Sequence, residues 1–228
     1  MRMTIASDAG TRFAAGRIGA AVLLTAALLV RPVSADPGAS APAAASNGAK
    51  AEIGKPAPDF TLKDTEGREH RLSDYTKAGK TVVLEWFNPD CPYSQKHHVR
   101  FHTMTDLASE LEKKNVVWLA VNSGAPGKQG AGLERNRKAK ADYSMSYPIL
   151  LDQSGKVGRA YGAKTTPHMF VIAPDGALIY KGAIDDDRRP QTMGSTVYVR
   201  TAIDAYASGG KVDPAETMSY GCSVKYAD

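Results

Sequence analysis

A strand, a turn and the start of a helix follow one another in Thr81-Val82-Val83-Leu84-Glu85-Trp86-Phe87-Asn88-Pro89-Asp90-Cys91-Pro92-Tyr93-Ser94. The first seven residues are apolar or β-branched apart from Glu85, which predicts a strand buried on both faces. Asn-Pro-Asp at 88–90 predicts a turn, and Pro92 is typical of the first residue of a helix. The pattern therefore predicts that Cys91 lies between a central strand and a helix N-terminus.

A cysteine in this position is predicted to be reactive. Unpaired backbone N–H groups and the helix dipole favour the thiolate there and lower cysteine pKa values to roughly 3.5–7.5. The alternative interpretation of Cys91 is a buried structural thiol. Ser94, one helical turn further on, could donate a hydrogen bond to the thiolate but cannot resolve a mixed disulfide. A redox cycle at Cys91 would therefore need another thiol.

The order strand, turn, Cys-Pro-Tyr-Ser and helix resembles the thioredoxin fold, in particular the redoxin branch with its AhpC/TSA peroxiredoxin-like and TlpA-like proteins. The segment Gly-Lys-Pro-Ala-Pro-Asp-Phe at 54–60 resembles the entry segment of that branch. Two departures matter. Ser94 stands where thioredoxins have their second cysteine, and Leu84 and Asn88 stand where peroxiredoxins have Pro and Thr. The resemblance thus implies a reactive Cys91 without the usual peroxidatic site.

The resemblance also implies a substrate-binding region made of Tyr93, Ser94, Thr166 and Pro167. Thr166-Pro167 resembles the Thr-Pro of the thioredoxin fold, in which the proline is cis and the backbone before it binds a substrate peptide like an added strand.

Glu85 occupies the place of the buried aspartate of thioredoxins, which implies a proton relay to the sulfur. From its strand position alone, a buried carboxylate has a raised pKa and can exchange protons. The alternative for Glu85 is a strand-edge acid paired with a lysine.

The second cysteine, Cys222, lies in the segment Tyr-Gly-Cys-Ser at 220–223, on a tail that could fold back. Three interpretations stay open for it: a resolving or regulatory partner of Cys91, a permanent structural disulfide with Cys91, or no bond between them, with the resolving thiol on another protein. Catalytic roles are therefore assigned to Cys91, Glu85 and Cys222.

Histidines 97, 98 and 102 follow the reactive cysteine and raise the question of a metal. Copper-chaperone relatives of the fold carry a second cysteine that is missing here, and one thiolate makes a poor closed site. We expect no metal and no other cofactor. The alternative function is nevertheless a non-catalytic thioredoxin-fold binding module, such as a copper chaperone.

The N-terminal residues predict export. Three arginines precede an apolar run at 18–30, and Val-Ser-Ala at 33–35 ends in small residues, as in a secretory signal peptide cleaved near Ala35. Residues 36–52 are rich in Ala, Pro and Ser and predict a disordered linker. The redoxin domain is predicted at 53–208, followed by a tail at 209–228 that carries Cys222. The protein would be periplasmic or secreted, with membrane contact only through an uncleaved signal segment.

Charge gives no reason to expect a nucleic-acid partner. The full chain has a formal charge of +5, and removal of residues 1–35 takes away four arginines and one aspartate, which leaves about +2. The expected partners are a thiol- or disulfide-bearing protein or a small-molecule oxidant, with an external reductant. The resemblance thus implies an exported thiol–disulfide oxidoreductase or antioxidant protein.

Apolar periodicity predicts the remaining elements. A β-hairpin is expected from two short strands around residues 60–62 and 69–72, and further strands at 116–121, 147–151, 165–172 and 177–182. Helices are expected at 93–114, 133–143, 156–161 and 195–207. The order predicts an α/β protein with the thioredoxin fold: a central mixed sheet flanked by helices on both faces, with an N-terminal β-hairpin extension.

Overall fold

The computed structural model describes residues 50–228, so the predicted signal peptide and most of the predicted linker lie outside the described residues. The strands are β1 (Thr61–Lys63), β2 (Glu69–Arg71), β3 (Thr81–Trp86), β4 (Val116–Asn122), β5 (Ile149–Leu151), β6 (Thr165–Thr166), β7 (His168–Ile172), β8 (Leu178–Gly182) and β9 (Cys222–Ser223). The helices are α1 (Leu72–Lys77), α2 (Pro92–Gln95), α3 (Thr103–Glu112), α4 (Leu133–Asp142), α5 (Lys156–Tyr161) and α6 (Tyr198–Ala207).

Five strands form one mixed sheet in the order β5-β4-β3-β7-β8. The β3, β4 and β5 strands run parallel, while β7 is antiparallel to both β3 and β8. The β1–β2 hairpin forms a separate two-stranded sheet. The predicted α/β architecture, with the thioredoxin fold and its N-terminal hairpin, is confirmed.

The sheet has a hydrophobic core on each face. Residues of α3, α4 and α6 pack on one face together with Val83 and Phe87. Residues of α1 and α5 pack on the other face against Leu84 and Trp86. Burial on both faces explains why β3 reads as an almost continuous apolar run. Each large side chain buried in this way stabilises the fold by about 1.5–3 kcal/mol. Packing on both faces therefore holds β3 in place, including the end that leads to Cys91.

The long helix predicted from 93 to 114 is wrong, because the segment is broken twice. α2 passes directly into a π-helical turn, Lys96–Arg100, and His102 then adopts a left-handed φ of 51° before α3 begins. A π-turn holds more residues than an α-turn and so rotates the following side chains around the axis. As a result the apolar residue Val99 is 48% exposed, whereas Lys96 is buried.

Three smaller predictions also need correction. Ala51, assigned to the disordered linker, is buried, and its N–H donates to the carbonyl of Ala160 at 3.0 Å. The strand predicted at 165–172 is divided at Pro167 into β6 and β7, since proline supplies no N–H to a ladder. The last helix begins at Tyr198 rather than near residue 195.

Within residues 50–228 no helix combines the length and apolar character needed to cross a bilayer.

Candidate active site

The turn between β3 and α2 is built by hydrogen bonds of Asn88. Its side-chain oxygen accepts the N–H of Asp90 at 2.8 Å, and its carbonyl accepts the N–H of Cys91 at 3.1 Å. Asp90 also forms an ion pair of 2.5 Å with Arg135 of α4, which is not part of the turn. Cys91 takes the N-cap position and Pro92 the first helical position, as the sequence predicted. The thiol is therefore fixed at the end of a central strand.

The Cys91 side chain is completely buried, with 0% of its surface exposed. Its thiol donates a hydrogen bond to the carbonyl oxygen of Thr166 at 2.9 Å. The Thr166–Pro167 peptide bond is cis, as the resemblance implied. The structure thus brings three of the predicted site residues, Cys91, Thr166 and Pro167, together although they are far apart in sequence.

The C-terminal tail folds back and brings Cys222 to the same place. β9 pairs antiparallel with β6, so that Cys222 lies opposite Thr166 and Ser223 lies opposite Thr165. The pairing continues through the N–H of Val224, which donates to the carbonyl of Lys164 at 3.1 Å. Both cysteines are free thiols. The added strand covers Cys91 from the side of Thr166.

Gly221 makes this close approach possible. Its φ of 133° is rarely adopted by other residues, and a Cβ built there would lie 2.0 Å from the carbonyl oxygen of Thr166. Any side chain at position 221 would therefore push the tail away from β6.

The two cysteines differ in the pKa of their thiols. Burial opposes ionisation of Cys91, but hydrogen bonds from the Cys222 thiol, from the side chain of Thr166 and from the backbone N–H groups of Ser94 and Cys222 outweigh it. They hold the pKa of Cys91 below its ordinary value. Burial, together with the hydrogen bond to Cys91 and its charge, raises the pKa of Cys222 to about 12. Cys91 is thus the more acidic thiol of the pair, and Cys222 donates a hydrogen bond to it once Cys91 has ionised.

Ser94 and Tyr93, which follow Cys91 in α2, make different contacts. The backbone N–H of Ser94, rather than its hydroxyl, is the donor to Cys91. The buried Ser94 hydroxyl has no hydrogen-bond partner among the described residues. The Tyr93 ring packs edge-on against the ring of Tyr220, with a centroid distance of 5.8 Å. A substrate-binding role for either residue stays a prediction.

Glu85 is buried in the central strand β3, not at a sheet edge, and it is not paired with a lysine. Its carboxylate accepts hydrogen bonds from the indole N–H of Trp118 at 2.9 Å and the hydroxyl of Tyr147 at 3.2 Å, and it lies 2.6 Å from Nε2 of His98. None of the hydrogen bonds that it makes within residues 50–228 reaches Cys91. A proton relay from Glu85 to the sulfur stays a prediction.

Sequence reasoning missed a buried polar cluster beside the thiols. It consists of Lys96 and His97 from the π-helical turn, Asp185, and Tyr220 from the tail. Lysine side chains and acidic turns, such as Asp-Asp-Asp at 185–187, normally face solvent. The sequence therefore provided no reason to expect Lys96 or Asp185 to be buried. The one available signal was the aromatic residue Tyr220, two positions before Cys222.

The histidines after Cys91 are engaged in protein contacts. Nε2 of His97 lies 2.8 Å from the Tyr220 hydroxyl, and Nε2 of His98 contacts Glu85. In the part of the chain that the structure describes, no three His, Cys, Asp or Glu side chains come together as metal ligands would.

A cleft of about 790 Å³ lies next to β6, and residues 216–219 of the tail form part of its wall. Thr165 and His168 line it from the sheet, and neither cysteine does. Burial, with the charges of Lys181 and Lys164, lowers the pKa of His168 to about 3, so this histidine is neutral. His168 therefore supplies no positive charge to stabilise a thiolate.

Comparison with known proteins gives consistent results. Residues 53–181 match the AhpC/TSA family. The thiol-disulfide oxidoreductase ResA of Geobacillus thermodenitrificans is 35% identical over 127 residues, which are 55% of this chain and 66% of that protein. The match thus spans slightly less than two thirds of that relative's length.

Two solved structures resemble the present one over most of its described part. A hypothetical protein from Sinorhizobium meliloti 1021 has a TM-score of 0.68 and 27% identity, covering 77% of this chain and 95% of that one. An uncharacterized conserved protein from Geobacillus kaustophilus has a TM-score of 0.70 and 28% identity, covering 77% and 93%. Both resemblances extend beyond the 129 residues of the family match, 53–181.

Proposed function

Because the chain belongs to the AhpC/TSA family, we propose that it is an exported thiol–disulfide oxidoreductase in which Cys91 is the nucleophile and Cys222 resolves the product. One observation carries this proposal. The β9 strand pairs Cys222 with Thr166, the residue whose carbonyl accepts the Cys91 thiol, so two thiols of unequal acidity share one site. The name of the ResA relative supports the same chemistry.

The reaction consists of two exchange steps. The Cys91 thiolate attacks one sulfur of a partner disulfide, forms a mixed disulfide and expels the first partner thiolate. The Cys222 thiol loses its proton and attacks the Cys91 sulfur, which forms the Cys91–Cys222 disulfide and expels the second partner thiolate. The partner disulfide gains two electrons, the enzyme pair loses two, and an external dithiol reductant restores the enzyme.

The pKa values favour this order of steps. The charge of the Cys91 thiolate and the hydrogen bond to it are two of the causes that raise the pKa of Cys222, after burial. Both vanish when Cys91 is consumed in a mixed disulfide, since its sulfur is then neutral. Cys222 therefore ionises more readily only after the partner has been captured.

Access to the sulfur requires movement of the tail. Cys91 has no exposed surface while β9 is paired with β6. A partner disulfide can reach the thiolate only when this two-residue strand separates. A strand of two residues has few backbone hydrogen bonds, so its local opening should cost far less than global unfolding.

The natural substrate is proposed to be a protein disulfide rather than a peroxide. Leu84 and Asn88 occupy the positions of the peroxidatic Pro and Thr, and the structure uses both for other purposes. Leu84 is buried in the sheet, and Asn88 shapes the turn before Cys91. Thiol peroxidase activity, if present, would be the slower reaction.

Export is proposed from the sequence of residues 1–35, which has the charged, apolar and small-residue regions of a signal peptide. An oxidising compartment outside the cytoplasm supplies disulfides as substrates. Mass determination of the protein recovered from the periplasm or medium of an expressing bacterium should give a chain that begins at Asp36. Recovery of the full-length chain from the cytoplasm alone would contradict export.

The exchange steps are tested by a single turnover with glutathione disulfide. The fully reduced protein is mixed with the disulfide, quenched with acid at intervals and analysed by mass spectrometry. Wild-type protein should pass through a transient glutathione adduct to a Cys91–Cys222 disulfide. Cys222→Ser should accumulate the adduct at Cys91, and Cys91→Ser should react slowly.

Serine is a close match to cysteine in size, so both variants should keep the fold. If the wild-type adduct persists as long as that of Cys222→Ser, Cys222 is not the resolving thiol. Equal reaction rates of Cys91→Ser and wild type would remove Cys91 from the role of nucleophile.

A further inference from the structure

Tyr220 joins the tail to a buried charged pair. It precedes Cys222 by two residues, and only 7% of its surface is exposed. Its hydroxyl lies 2.8 Å from Nε2 of His97 and 3.3 Å from Nζ of Lys96, and it donates a short hydrogen bond to the Asp185 carboxylate. Since the hydroxyl has one proton and gives it to Asp185, it accepts from both Lys96 and His97.

The charged pair depends on this hydroxyl. The side chains of Lys96 and Asp185 are both 0% exposed, and Nζ lies 3.3 Å from Oδ2 of the carboxylate. A buried ion pair is maintained only if its remaining donors and acceptors find partners. The carbonyl of Asp187, at 2.5 Å from Lys96, supplies one of these partners, and Tyr220 supplies another. The Asp185 carboxylate also accepts the backbone N–H groups of Asp187 at 3.2 Å and Gly194 at 2.9 Å. Withdrawal of Tyr220 would take one hydrogen bond away from each buried charge, which makes its departure costly.

His97 completes the set without adding charge. Burial, followed by the charges of Lys96 and His98, lowers the pKa of His97 to about 3. The imidazole is therefore neutral, and its Nε2–H donates to Tyr220 without competing with Lys96 for the carboxylate.

The position of the cluster links the two cysteines. Lys96 and His97 belong to the π-helical turn that continues directly from α2, the helix that begins after Cys91. Between Tyr220 and Cys222 stands only Gly221, which touches the carbonyl of Thr166. Tyr220 thus attaches the tail to the helical segment that begins after Cys91, and only Gly221 separates this attachment from Cys222.

We propose that Tyr220 is a positioning residue that holds Cys222 within reach of Cys91 and, in the same position, keeps Cys91 covered. The inference rests on the proposed function, because it assigns Tyr220 a role in the step that Cys222 performs. According to this proposal, the exchange reaction depends on the Tyr220 hydroxyl, although that hydroxyl contacts neither sulfur. A purely structural role would instead affect the stability of the whole chain and leave the two thiols unchanged.

Tyr220→Phe tests the proposal, since it removes the hydroxyl and keeps the ring that packs against Tyr93. Tyr226→Phe is the matched control: this tyrosine lies on the same tail, and its hydroxyl donates to the carbonyl of Ala163 at 2.9 Å, away from the charged pair. Two quantities are measured for each variant. One is the effective concentration of Cys222 toward Cys91, from equilibration in glutathione redox buffers. The other is the rate at which iodoacetamide alkylates Cys91 in the reduced protein.

Tyr220→Phe should lower the effective concentration about tenfold or more, the loss expected when a hydrogen bond to a charged group is removed. It should also accelerate alkylation of Cys91 by a similar factor, because the tail opens more often. Tyr226→Phe should change either quantity by no more than about threefold, as a neutral hydrogen bond contributes less. The melting temperatures of the two variants are compared to detect general destabilisation.

Three results would overturn the inference. Tyr220→Phe and Tyr226→Phe could behave alike, or Tyr220→Phe could lower only the melting temperature while the wild-type disulfide forms normally. In both cases Cys222 would still be the resolving thiol without help from Tyr220. If the wild-type protein forms no Cys91–Cys222 disulfide in any buffer, the proposed function fails together with the inference.

Discussion

At the scale of single residues, Cys91 and Cys222 carry the same functional group in different electrostatic surroundings. Cys91 receives hydrogen bonds from two backbone N–H groups and from the Cys222 thiol, whereas the charge of Cys91 disfavours ionisation of Cys222. When the pair loses its first proton, the negative charge therefore resides on Cys91. Cys91 is therefore the sulfur that we expect to attack a partner first.

Removal of the Cys222 thiol should raise the pKa of Cys91, because a donor to the thiolate is lost. In Cys222→Ala the midpoint of thiolate formation should move to higher pH. In Cys222→Ser the midpoint should lie between those of wild type and Cys222→Ala, since a hydroxyl can still donate. The rate of attack on a disulfide should rise with pH through each midpoint, because the thiolate is the reactive form.

The measurement is the ultraviolet absorbance of the thiolate as a function of pH, with Cys91→Ser as the baseline for tyrosine ionisation. An unchanged midpoint in Cys222→Ala would mean that the backbone N–H groups alone hold the charge on Cys91. A lower midpoint would contradict the hydrogen bond between the two thiols.

At the scale of elements, local patterns predicted the strand, the turn and the N-cap cysteine correctly. The apolar run in β3 and the proline at the first helical position are properties of neighbouring residues, and they can be recognised without knowledge of the fold. The break after α2 was missed because the π-turn is stabilised by distant partners. Lys96 is buried there only because Asp185 and Tyr220 arrive from elsewhere in the chain.

The pairing of β9 with β6 should depend on the missing side chain at position 221. In Gly221→Ala the new Cβ would lie within 2.0 Å of the Thr166 carbonyl oxygen, and the φ of 133° would be strained. The tail should therefore leave β6, and the Cys91–Cys222 disulfide should form much more slowly. Thiol trapping followed by mass spectrometry, after exposure to oxidised dithiothreitol, measures this rate.

Gly209→Ala is the control for backbone strain. Gly209 also has a positive φ, 73°, but a Cβ there would meet no atom within 4 Å. It lies on the chain before the tail strand, so strain alone is introduced without a clash at β6. If Gly209→Ala slows disulfide formation as much as Gly221→Ala does, the close approach to Thr166 is not what holds the tail.

At the scale of the whole molecule, the site joins residues from three distant parts of the sequence. Cys91 follows β3, Thr166 and Pro167 join β6 to β7, and Cys222 comes from the tail. Contacts at such separations leave no periodic pattern, so the sequence allowed three fates for Cys222 and could not choose among them. The resemblance predicted the first two parts, because they belong to the common fold. The tail lies beyond the family match, which ends at residue 181.

The long separation of the two cysteines leads to a prediction about stability. A Cys91–Cys222 disulfide closes a loop of roughly 130 residues and, by the loop-entropy relation, stabilises the fold by about 5 kcal/mol if the docked strand accommodates it without distortion. Folding and disulfide formation form a thermodynamic cycle. The free energy of unfolding gained on oxidation is therefore set by the factor by which folding raises the effective concentration of one thiol toward the other.

Urea unfolding of the reduced and oxidised proteins measures this gain, with Cys222→Ser as the control that should have one midpoint under both conditions. The oxidised wild type should unfold at a clearly higher urea concentration than the reduced form. Gly221→Ala should show a smaller difference, because its tail is not held at β6 and folding does less to bring the thiols together. Equal midpoints for oxidised and reduced wild type would mean that the bond distorts the docked strand as much as it restricts the unfolded chain. The disulfide would then be a strained and easily reduced one, contrary to this prediction.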